Sequence, residues 1–322
     1  MQRSQTQMEN ISRSAFLVTG GAGFIGSHIA EYLLKAGARK VRVLDNLATG
    51  HFRNMACFAN DPRFEFTLGD IRDADDCKAA CKEIDYVFHH AAWGTNTELV
   101  KNTTITQDVN VNGFFNMLVA AQEAGVKRFV YAANDLVYGD HDQLHSMETI
   151  GLRYHNVFGR RHDPHSVYAA VIPGYVSDMI AHKTPVIHEE DACDFCYIED
   201  AVQANMAAVF ATRADAINQV YDIAYEEKVP LHQLALYLRE FLSVFDQSIA
   251  DLEVQYDSES AQPVFDALNL EKTREVLHFQ PQFSLWNGLL QSVSWYWAYL
   301  PQFELEARQK KQRNLSSTSI SI

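Results

Sequence analysis

The chain has 322 residues, of which 27 are basic and 41 acidic, so the formal charge is −14, and 47% of the residues are hydrophobic. This composition excludes intrinsic disorder, collagen and small disulfide scaffolds, and the acidic excess argues against nucleic acid or an anionic membrane as a general partner. No run approaches about 18 consecutive apolar residues, and residues 1–14 lack the apolar core of a signal peptide. We therefore expect a cytoplasmic protein with a flexible leader over residues 1–14.

In chain order, the first half of the sequence alternates short β-rich runs with helical patterns. The predicted strands cover residues 15–19, 40–45, 64–68, 85–90 and 127–133, and the predicted helices cover residues 24–35, 74–82 and 106–124. Strand, helix and strand in regular order are typical of parallel β-α-β units. We therefore predict an α/β fold built on a Rossmann-type doubly wound parallel sheet.

After Gly139 the alternation stops, because residues 140–150 carry no helical pattern before the next predicted strand at 151–154. The remainder is less regular. We predict helices near residues 169–182, 230–244, 270–277 and 285–299, a strand and a helix through 195–212, a strand at 220–223, and a polar, frayed end from about residue 306.

Five cysteines are an odd number, which is typical of reduced thiols rather than of a disulfide framework. Cys193 and Cys196 have the spacing of half a zinc site, but Cys77 and Cys81 lie four apart and do not supply a second pair of that spacing. We predict buried free thiols and no metal. Half a zinc site at Cys193 and Cys196 is the alternative interpretation.

Glycines at 20, 23 and 26 have G-x-x-G-x-x-G spacing, directly after the first predicted strand and at the start of the first predicted helix. Glycine at these positions allows a tight turn, close approach to a pyrophosphate and close packing of helix on strand. Asp45 ends the second predicted strand, where a carboxylate can accept hydrogen bonds from both ribose hydroxyls and would repel a 2′-phosphate. The pattern predicts NAD in preference to NADP; a purely structural glycine turn is the alternative.

Eight segments also occur in the order found in one family. They are TGGAGFIG at 19–26, DNLATGH at 45–51, GDIRD at 69–73, HHAA at 89–92, VYG at 137–139, LRYHNVFGRR at 152–161, YAAVIP at 168–173 and DFCYIED at 194–200. Over residues 15–299 the chain resembles the extended short-chain dehydrogenase/reductase (NAD-dependent epimerase/dehydratase) family, most closely the bacterial UDP-N-acetylglucosamine 4-epimerases of surface-polysaccharide synthesis. The resemblance implies an isomerase of nucleotide sugars that uses NAD to remove a hydride from sugar C4 and return it to the opposite face.

The resemblance also implies roles for individual residues. The NAD pyrophosphate would be held by Gly20, Gly23, Phe24, Ile25 and Gly26. The adenosine ribose would be bound by Asp45 and Asn46, with Thr49 and Gly50 beside them, and the adenine would be bound by Asp70 and Ile71. The loop that runs along the cofactor would contain Ala91, Ala92 and Trp93, supported by Asn110, and the sugar nucleotide would be contacted by Asn156, Ala170 and Val171. For Ala91 and Ala92, a need for small residues in close packing is the alternative.

The same resemblance gives a domain division. It places an NAD-binding Rossmann domain at residues 15–165, a mixed remainder at 166–305 and a polar tail at 306–322. The remainder would form a smaller C-terminal α/β substrate lobe and the last Rossmann elements.

The proton-transfer residues of the family are not found in this sequence. The family base is a tyrosine four residues before a lysine, whose charge stabilises the phenolate. None of the 14 tyrosines has a lysine at that spacing, and Asn134, Asp135 and Leu136 stand where hydroxyl residues are usual. Only 11 residues separate Gly139 from Gly151, enough for at most about three helical turns. We therefore predict that a substrate loop and the catalytic helix are missing, and we assign no catalytic residue.

Substrate-phosphate residues depart from the family as well. Cys193 stands where an arginine is expected, residues 258–265 contain no arginine, and His155 replaces an aromatic residue. Candidates for a substitute base are Tyr138, His141, His145 and His155, although isolated histidines are more often structural. Arg153, Arg160 and Arg161 form the basic cluster that could bind a diphosphate, and a solvated strand end is the alternative.

We therefore predict an NAD-binding, catalytically impaired relative of the UDP-N-acetylhexosamine 4-epimerases. One alternative is an active NAD-dependent UDP-sugar 4-epimerase with a substitute base, and another is a non-enzymatic scaffold or partner of an active paralogue. A homodimer and a heteromer with such a paralogue are both compatible with the sequence. Loss of a covering helix would expose apolar surface, which predicts lowered stability or a partner on that face.

Overall fold

The computed structural model describes residues 5–93, 103–133, 147–164, 171–188, 192–257 and 268–318. Within these residues the chain divides into two compact units. The first contains Met1–His155, Ile198–Ala224 and Ala267–Gln282, and the second contains Asn156–Tyr197, Tyr225–Asp266 and Phe283–Ile322. The first unit therefore also includes two segments from later in the chain. The second unit begins at Asn156, ten residues before the domain boundary expected from the sequence, at residue 166.

The first unit is built on a seven-stranded sheet in which every neighbouring pair is parallel. Its strands are β1 (Ala15–Thr19), β2 (Lys40–Asp45), β3 (Phe64–Leu68), β4 (Tyr86–His89), β5 (Arg128–Ala132), β6 (Glu148–Tyr154) and β9 (Gln219–Ile223), in the spatial order β3-β2-β1-β4-β5-β6-β9. The order reverses between β1 and β4, which is the arrangement of a doubly wound Rossmann sheet. The predicted fold class is therefore confirmed.

Helices cover both faces of this sheet because alternate strand residues point to opposite sides. The helices of the first unit are α1 (Gln5–Arg13), α2 (Phe24–Lys35), α3 (Ala74–Cys81), α4 (Thr103–Gln107), α5 (Phe114–Glu123), α7 (Ile198–Val209) and α9 (Leu270–Leu277). On one face, Leu17 of β1 belongs to a buried cluster with residues of α3 and α5. On the other, Phe16 packs edge-on against Phe210 at the end of α7. Burial of these rings and aliphatic side chains is the main stabilising contribution.

The second unit holds two small sheets. The antiparallel pair joins β8 (Ala192–Asp194) to β10 (Lys228–Pro230), and the parallel pair joins β7 (Val186–His188) to β11 (Gln255–Asp257). Its helices are α6 (Val171–Ile180), α8 (Leu231–Ser243) and α10 (Leu285–Thr318). The Tyr296 hydroxyl of α10 bonds both backbone groups of Gly159, at 3.1 Å from its nitrogen and 3.0 Å from its oxygen. Tyr296 is fully buried, so this pair fixes α10 on the interior of the unit.

Two chain ends are more regular than the sequence predicts. Where a flexible leader was expected, Gln5–Arg13 forms helix α1, because Ile11 is fully buried and the Arg39 guanidinium donates to the Arg13 carbonyl. At the other end, α10 continues through the predicted polar tail to Thr318. In both places tertiary contacts or helix continuation replace the expected irregular chain.

The cysteines carry no disulfide. Cys77, Cys81, Cys193 and Cys196 are buried thiols outside any disulfide, as predicted, whereas the Cys57 thiol is exposed. Burial raises the pKa of both the Cys77 and Cys81 thiols to about 12, so neither forms a thiolate near neutral pH. Within the described ranges, no three His, Cys, Asp or Glu side chains are grouped as a metal site requires.

The connection from β5 to β6 is short. These strands are adjacent and parallel, with Arg128 opposite Glu148 and Ala132 opposite Leu152. The connection runs only from residue 133 to residue 147, and a parallel crossover needs roughly a dozen residues or more. Residues 134–146 lie outside the described part of the chain, and with them Asn134, Asp135, Leu136, Tyr138, His141 and His145.

Candidate functional site

The glycine turn between β1 and α2 requires glycine at two of its positions for internal reasons. Gly20 has a left-handed φ of 66°, and a Cβ on it would lie 2.6 Å from the His90 carbonyl oxygen. A Cβ on Gly26 would lie 2.4 Å from the Gly20 carbonyl oxygen. Gly23 differs, because its φ of −80° suits any residue and its Cβ would meet only the Gly20 oxygen, at 3.0 Å. The missing side chain of Gly23 therefore leaves space for a ligand, the role that the pattern predicts.

The N-terminus of α2 is open to an anion. Gly23 occupies the N-cap position with no side-chain capping bond, and the first turn contains no acidic residue. The first turn of the helix contains Phe24, Ile25 and Gly26, and it receives no side-chain bond from the cap residue. The N–H groups at a helix N-terminus and the helix dipole together favour a negative group such as a pyrophosphate.

Asp45 joins the end of β2 to the glycine turn. Its Oδ2 accepts a hydrogen bond from the Ala22 nitrogen at 2.9 Å, and its Oδ1 accepts one from the Leu47 nitrogen at 2.8 Å. Burial raises the pKa of the Asp45 carboxyl, although the Leu47 and Ala22 N–H groups and the charge of His51 oppose this. Each carboxylate oxygen retains a further lone pair that can accept a ribose hydroxyl.

The predicted adenosine residues lie together in the loops after β2 and β3. The Asn46 side-chain amide donates to Asp70 Oδ2 at 2.9 Å, and the Arg72 guanidinium donates to both Asp70 oxygens. These bonds, the one from Arg72 foremost, hold the pKa of Asp70 well below its usual range. Ile71 is 5% exposed, and Thr49 and Gly50 follow Asn46 in the loop that packs on Ala22 and Asp45. The Asp70 carboxylate is therefore fixed and ionised beside Asn46.

The loop after β4 is held by one asparagine. Asn110 Oδ1 accepts from the Trp93 nitrogen at 2.7 Å, and Asn110 Nδ2 donates to the Trp93 oxygen at 2.8 Å. Asn110 lies in a π-helical turn, Asp108–Gly113, where the sequence predicts uninterrupted α-helix. Such turns often occur at functional sites. At the start of the loop, the Ala91 nitrogen donates to the Thr19 hydroxyl at 3.2 Å, and Ala92 connects it to Trp93.

Two buried polar atoms near this clamp have no partner among the described residues. They are the indole nitrogen of Trp93 and the hydroxyl oxygen of Thr106, four residues before Asn110. An unpaired buried N–H or O–H costs free energy, so such groups usually bond to protein, water or ligand. A dinucleotide carries many phosphate and hydroxyl oxygens. The residues present therefore fit NAD, with an indole N–H, a vacant Gly23 side-chain position and an uncapped helix available to it.

Sequence reasoning missed a second polar network at the carboxyl end of the sheet. His90 Nε2 lies 3.2 Å from Asn205 Oδ1, and Asn205 Nδ2 donates to the Tyr154 hydroxyl at 2.7 Å. Burial lowers the pKa of His90 to about 4 and that of His89 to about 3, so both imidazoles are neutral near pH 7. The members are 115 and 51 residues apart, so no local pattern signals the network.

Among the residues predicted to bind the substrate diphosphate, Arg153 is engaged within the protein itself. The Arg153 guanidinium does not remain free, because its Nε lies 2.5 Å from Asp222 Oδ1, and His155 Nε2 lies 3.2 Å from the same oxygen. Burial opposes ionisation of Asp222, but the bonds from His155, Arg153 and the Asn269 nitrogen outweigh it and lower the Asp222 pKa. The basic cluster expected to bind a diphosphate thus loses Arg153 to a buried ion pair.

The predicted sugar-nucleotide residues that the structure describes belong to the second unit. Asn156 has a left-handed φ of 42°, and its Nδ2 donates to the Asp194 carbonyl at 2.9 Å. Val171 begins α6, and Ala170 lies outside the described residues. The Asp194 carboxylate accepts hydrogen bonds from the backbone N–H groups of Tyr225 and Glu226, both at 2.7 Å. This first residue of the DFCYIED segment therefore fixes the backbone at residues 225 and 226. The roles of Asn156 and Val171 toward a sugar remain predictions.

Comparison with known proteins shows similarity along most of the chain. A UDP-glucose 4-epimerase from Thermotoga maritima, solved with UDP-glucose, is 26% identical with a TM-score of 0.75, covering 88% of this chain and 98% of that one. A UDP-N-acetylglucosamine 4-epimerase from Methanobrevibacter ruminantium, solved with UDP-N-acetylmuramic acid, is 25% identical with a TM-score of 0.75 and the same coverage. A UDP-N-acetyl-alpha-D-glucosaminuronate decarboxylase from Bacillus cytotoxicus is 26% identical over 322 residues, 87% of this chain and 97% of that protein.

No helix among the described residues is both long and apolar enough to cross a bilayer. The family profile matches in two segments, residues 16–149 and 142–224, which together cover more than half of the chain and contain the glycine turn, Asp45, the Asn110 clamp and the Asn205 network. The chain therefore belongs to the NAD-dependent epimerase/dehydratase family.

Proposed function

We propose that this protein binds NAD at the glycine turn and has lost most or all of the nucleotide-sugar 4-epimerase activity of its relatives. When bound, NAD supplies a hydride acceptor and donor for sugar C4. The chain supplies the groups that hold it: the uncapped N-terminus of α2 for the pyrophosphate, Asp45 for a ribose, and the Trp93 indole N–H. These groups support the cofactor half of the proposal.

The observation that carries the loss of activity is the short connection between β5 and β6. Fifteen residues, 133–147, join these adjacent parallel strands, and no tyrosine anywhere in the chain precedes a lysine by four residues. The two segments of the family match overlap at residues 142–149, at the end of this connection and the start of β6, which supports a shortened crossover here. Without a positioned base, the 4-hydroxyl keeps its proton, and hydride removal is slowed by about 10²–10⁴ or more.

A second candidate is an active UDP-sugar 4-epimerase with a substitute base. It is favoured by the length of the similarity, since the matches to two sugar-nucleotide 4-epimerase structures cover 98% of each. Tyr154 is a described tyrosine at the carboxyl end of β6, and its oxygen accepts a hydrogen bond from Asn205, as a stabilised phenolate would. This makes Tyr154 a concrete residue to test.

The deciding experiment separates binding from turnover. Purified protein is titrated calorimetrically with NAD and with NADP, and is then incubated with NAD and either UDP-GlcNAc or UDP-glucose, with chromatography for the C4 epimer. We expect NAD to bind more tightly than NADP, because the Asp45 carboxylate repels a 2′-phosphate, and we expect no epimer above a boiled control.

Two outcomes would reject parts of the proposal. Absence of NAD binding at millimolar concentration would reject the cofactor assignment and leave a scaffold that keeps the sheet for stability. Epimer formation above the boiled control would reject the loss of activity, and its disappearance in Tyr154→Phe would identify the base. A protein that retains its partner binding after Gly23→Val would favour the scaffold interpretation.

A further inference from the structure

One asparagine of α5 holds the loop that follows β3. The Asn116 side-chain amide donates a hydrogen bond to the Ile71 carbonyl oxygen at 3.1 Å and another to the Arg72 carbonyl oxygen at 3.0 Å. The donor lies 45 and 44 residues from these acceptors in sequence, so the bonds join the loop to a distant element. A side-chain amide nitrogen carries two hydrogens, and Asn116 uses them to fix two consecutive residues of the loop.

Packing at Gly113 holds the same loop. A Cβ on Gly113 would lie 2.7 Å from two carbons of the Ile71 side chain, so the absence of a side chain lets Ile71 lie against the helix. Ile71 is 5% exposed and belongs to the buried cluster that includes Phe114 and Met117. Gly113 and Asn116 are three residues apart, a spacing that makes them neighbours on the helix surface. They therefore contact the loop together.

The same helical segment contacts a second loop of the cofactor site. Asn110 lies three residues before Gly113, in the π-helical turn Asp108–Gly113, and its side chain bonds both backbone groups of Trp93. We call residues 108–116 the brace. Through Asn110 the brace holds the loop after β4, and through Gly113 and Asn116 it holds the loop after β3.

The order of the strands places the loop after β3 at the adenosine end of the cofactor site. Strands β1, β2 and β3 are neighbours in the sheet. A dinucleotide lies across the carboxyl ends of such strands, with its pyrophosphate at the glycine turn and a ribose at the acidic residue that ends the second strand. The base beyond that ribose reaches the end of β3, where the Asn46 amide bonds the Asp70 carboxylate. Residues 70–72 therefore border the base.

We propose that Asn116 is a positioning residue for adenine recognition. It holds the backbone of residues 70–72 at the place where the base of NAD meets this loop, and it does not touch the base itself. The inference rests on the proposed function, because it requires NAD to bind with its pyrophosphate at the glycine turn.

Other anchors keep the loop folded when Asn116 is removed. Asp76 Oδ2 accepts a hydrogen bond from the Asp70 nitrogen at 2.9 Å, and the Cys77 thiol donates to the Ile71 carbonyl oxygen at 3.2 Å. Both anchors belong to α3, the helix that follows the loop directly in sequence. Without the Asn116 bonds the loop therefore stays on α3 and shifts relative to the brace.

The chemistry of the base distinguishes a positioning role from a merely structural one. Adenine carries an amino donor at carbon 6 and an acceptor at the neighbouring ring nitrogen, whereas hypoxanthine carries an acceptor and a donor at the same two places. Loop groups that match the edge of adenine are therefore mismatched with hypoxanthine, and a polar mismatch of this kind is strongly rejected. A displaced loop loses the preference for adenine, whereas a general loss of stability leaves the preference unchanged.

The test titrates the full chain and its variants calorimetrically with NAD and with nicotinamide hypoxanthine dinucleotide. We expect wild-type protein to prefer NAD. Asn116→Ala should weaken NAD binding about tenfold and binding of the hypoxanthine analogue about twofold or less, so the preference falls about fivefold. Gly113→Ala should lower the preference in the same direction, because its Cβ displaces the Ile71 side chain.

The matched control is Asn112→Ala. Asn112 is an exposed asparagine of the same brace, and its amide donates to Asp108 Oδ1 at 3.1 Å. Since Asn112 makes no bond to residues 70–72 among the described contacts, its replacement should leave both affinities within about twofold of wild type. Circular dichroism and thermal melting of each variant check that the fold is retained.

Two results would overturn the inference while leaving the proposed function in place. These are unchanged NAD affinity in Asn116→Ala, and an equal loss of affinity for both dinucleotides, which would show that Asn116 supports the fold alone. If Asn116→Ala does not fold, Gly113→Ala decides, because alanine is the better helix former, and an unchanged preference for NAD in that variant overturns the inference. Wild-type protein that binds neither dinucleotide would reject the proposed function and the inference together.

Discussion

Two halves of the same sheet use their polar groups in opposite ways. In the cofactor half, formed by β3, β2, β1 and β4, Asp45 and Asn110 hold the loops in place, while the indole N–H of Trp93 has no partner among the described residues and the N-terminus of α2 has no side-chain cap. In the other half, formed by β5, β6 and β9, Arg153 and Asp222 neutralise each other. Family motifs are present in both halves, so a motif does not show whether its side chains serve a ligand or the fold.

The largest expected effect concerns the ion pair of Asp222 and Arg153, in the half formed by β5, β6 and β9. Asp222→Asn should lower the free energy of unfolding by about 3 kcal/mol at pH 7, the low end for breaking a buried ion pair, because the Arg153 side chain is 29% exposed and can rehydrate. NAD affinity should remain within about twofold of wild type. Urea denaturation and calorimetric titration measure the two quantities. Asp215→Asn, which breaks an exposed pair with Arg213, is the control and should leave stability unchanged.

The pH dependence of the stability difference between wild type and Asp222→Asn tests whether the charge of Asp222 causes it. The pKa of Asp222 is lowered in the folded state, so its ionisation stabilises the fold above the unfolded pKa of about 3.9 and the contribution is lost as pH falls through the folded value. The gap between wild type and Asp222→Asn should thus be constant from pH 7 to 5 and shrink below about 4. A gap that stays constant down to pH 3 would show that packing, not charge, is responsible.

In the cofactor half, a substitution should lower NAD affinity and leave stability nearly unchanged. Gly23→Val places a side chain where the pyrophosphate is expected, while φ of −80° and the 3.0 Å approach to the Gly20 oxygen require little adjustment of the backbone. We expect NAD affinity to fall at least a hundredfold, or about 2.7 kcal/mol, with stability changed by about 1 kcal/mol or less. Gly174→Ala in α6, whose Cβ would meet nothing within 4 Å, is the matched control. Equal affinity in Gly23→Val would place the cofactor elsewhere.

The smallest expected effect concerns the unpaired indole of Trp93. Trp93→Phe removes the N–H and keeps an aromatic ring, so NAD affinity should fall about tenfold, the value of one buried hydrogen bond. Isothermal titration measures it, and quenching of tryptophan emission by NAD should weaken in the same variant. If the NAD affinity and the quenching are both unchanged, the indole N–H is satisfied by a buried water or by another segment of this chain. The cofactor half then offers fewer groups to a ligand than proposed.

Local signals account for the parts of the fold that were predicted well. Helix α2 begins and ends at the predicted residues, because a glycine turn starts it and Gly37, at a left-handed φ of 88°, follows it. Strands β1, β2 and β3 also have the predicted bounds, since each is a short β-rich run between turn residues. The three-residue strands β7, β8, β10 and β11 were not predicted, because each depends on a partner strand distant in sequence.

The candidate site divides in the same way. The glycine turn of Gly20, Gly23 and Gly26 and the place of Asp45 at the end of β2 were predicted from spacing, because a tight turn after one strand and a carboxylate at the end of the next are local requirements. Their roles toward NAD stay predictions. The Asn205 network and the pairing of Arg153 with Asp222 were not found, since their members are separated by 51 to 115 residues. Spacing in sequence carries no information about which distant side chain neutralises a charge.

The sequence by itself determined the doubly wound sheet, the family and the position of the cofactor turn, because periodic patterns and glycine requirements act over a few residues. It also determined that no tyrosine and lysine stand at the catalytic spacing. Only the tertiary structure decided that Arg153 is used within the fold, that Asn110 clamps Trp93 and that the Phe241 ring of α8 packs against the Trp286 ring of α10. These depend on burial and on contacts between distant segments, which exist only once the chain has folded.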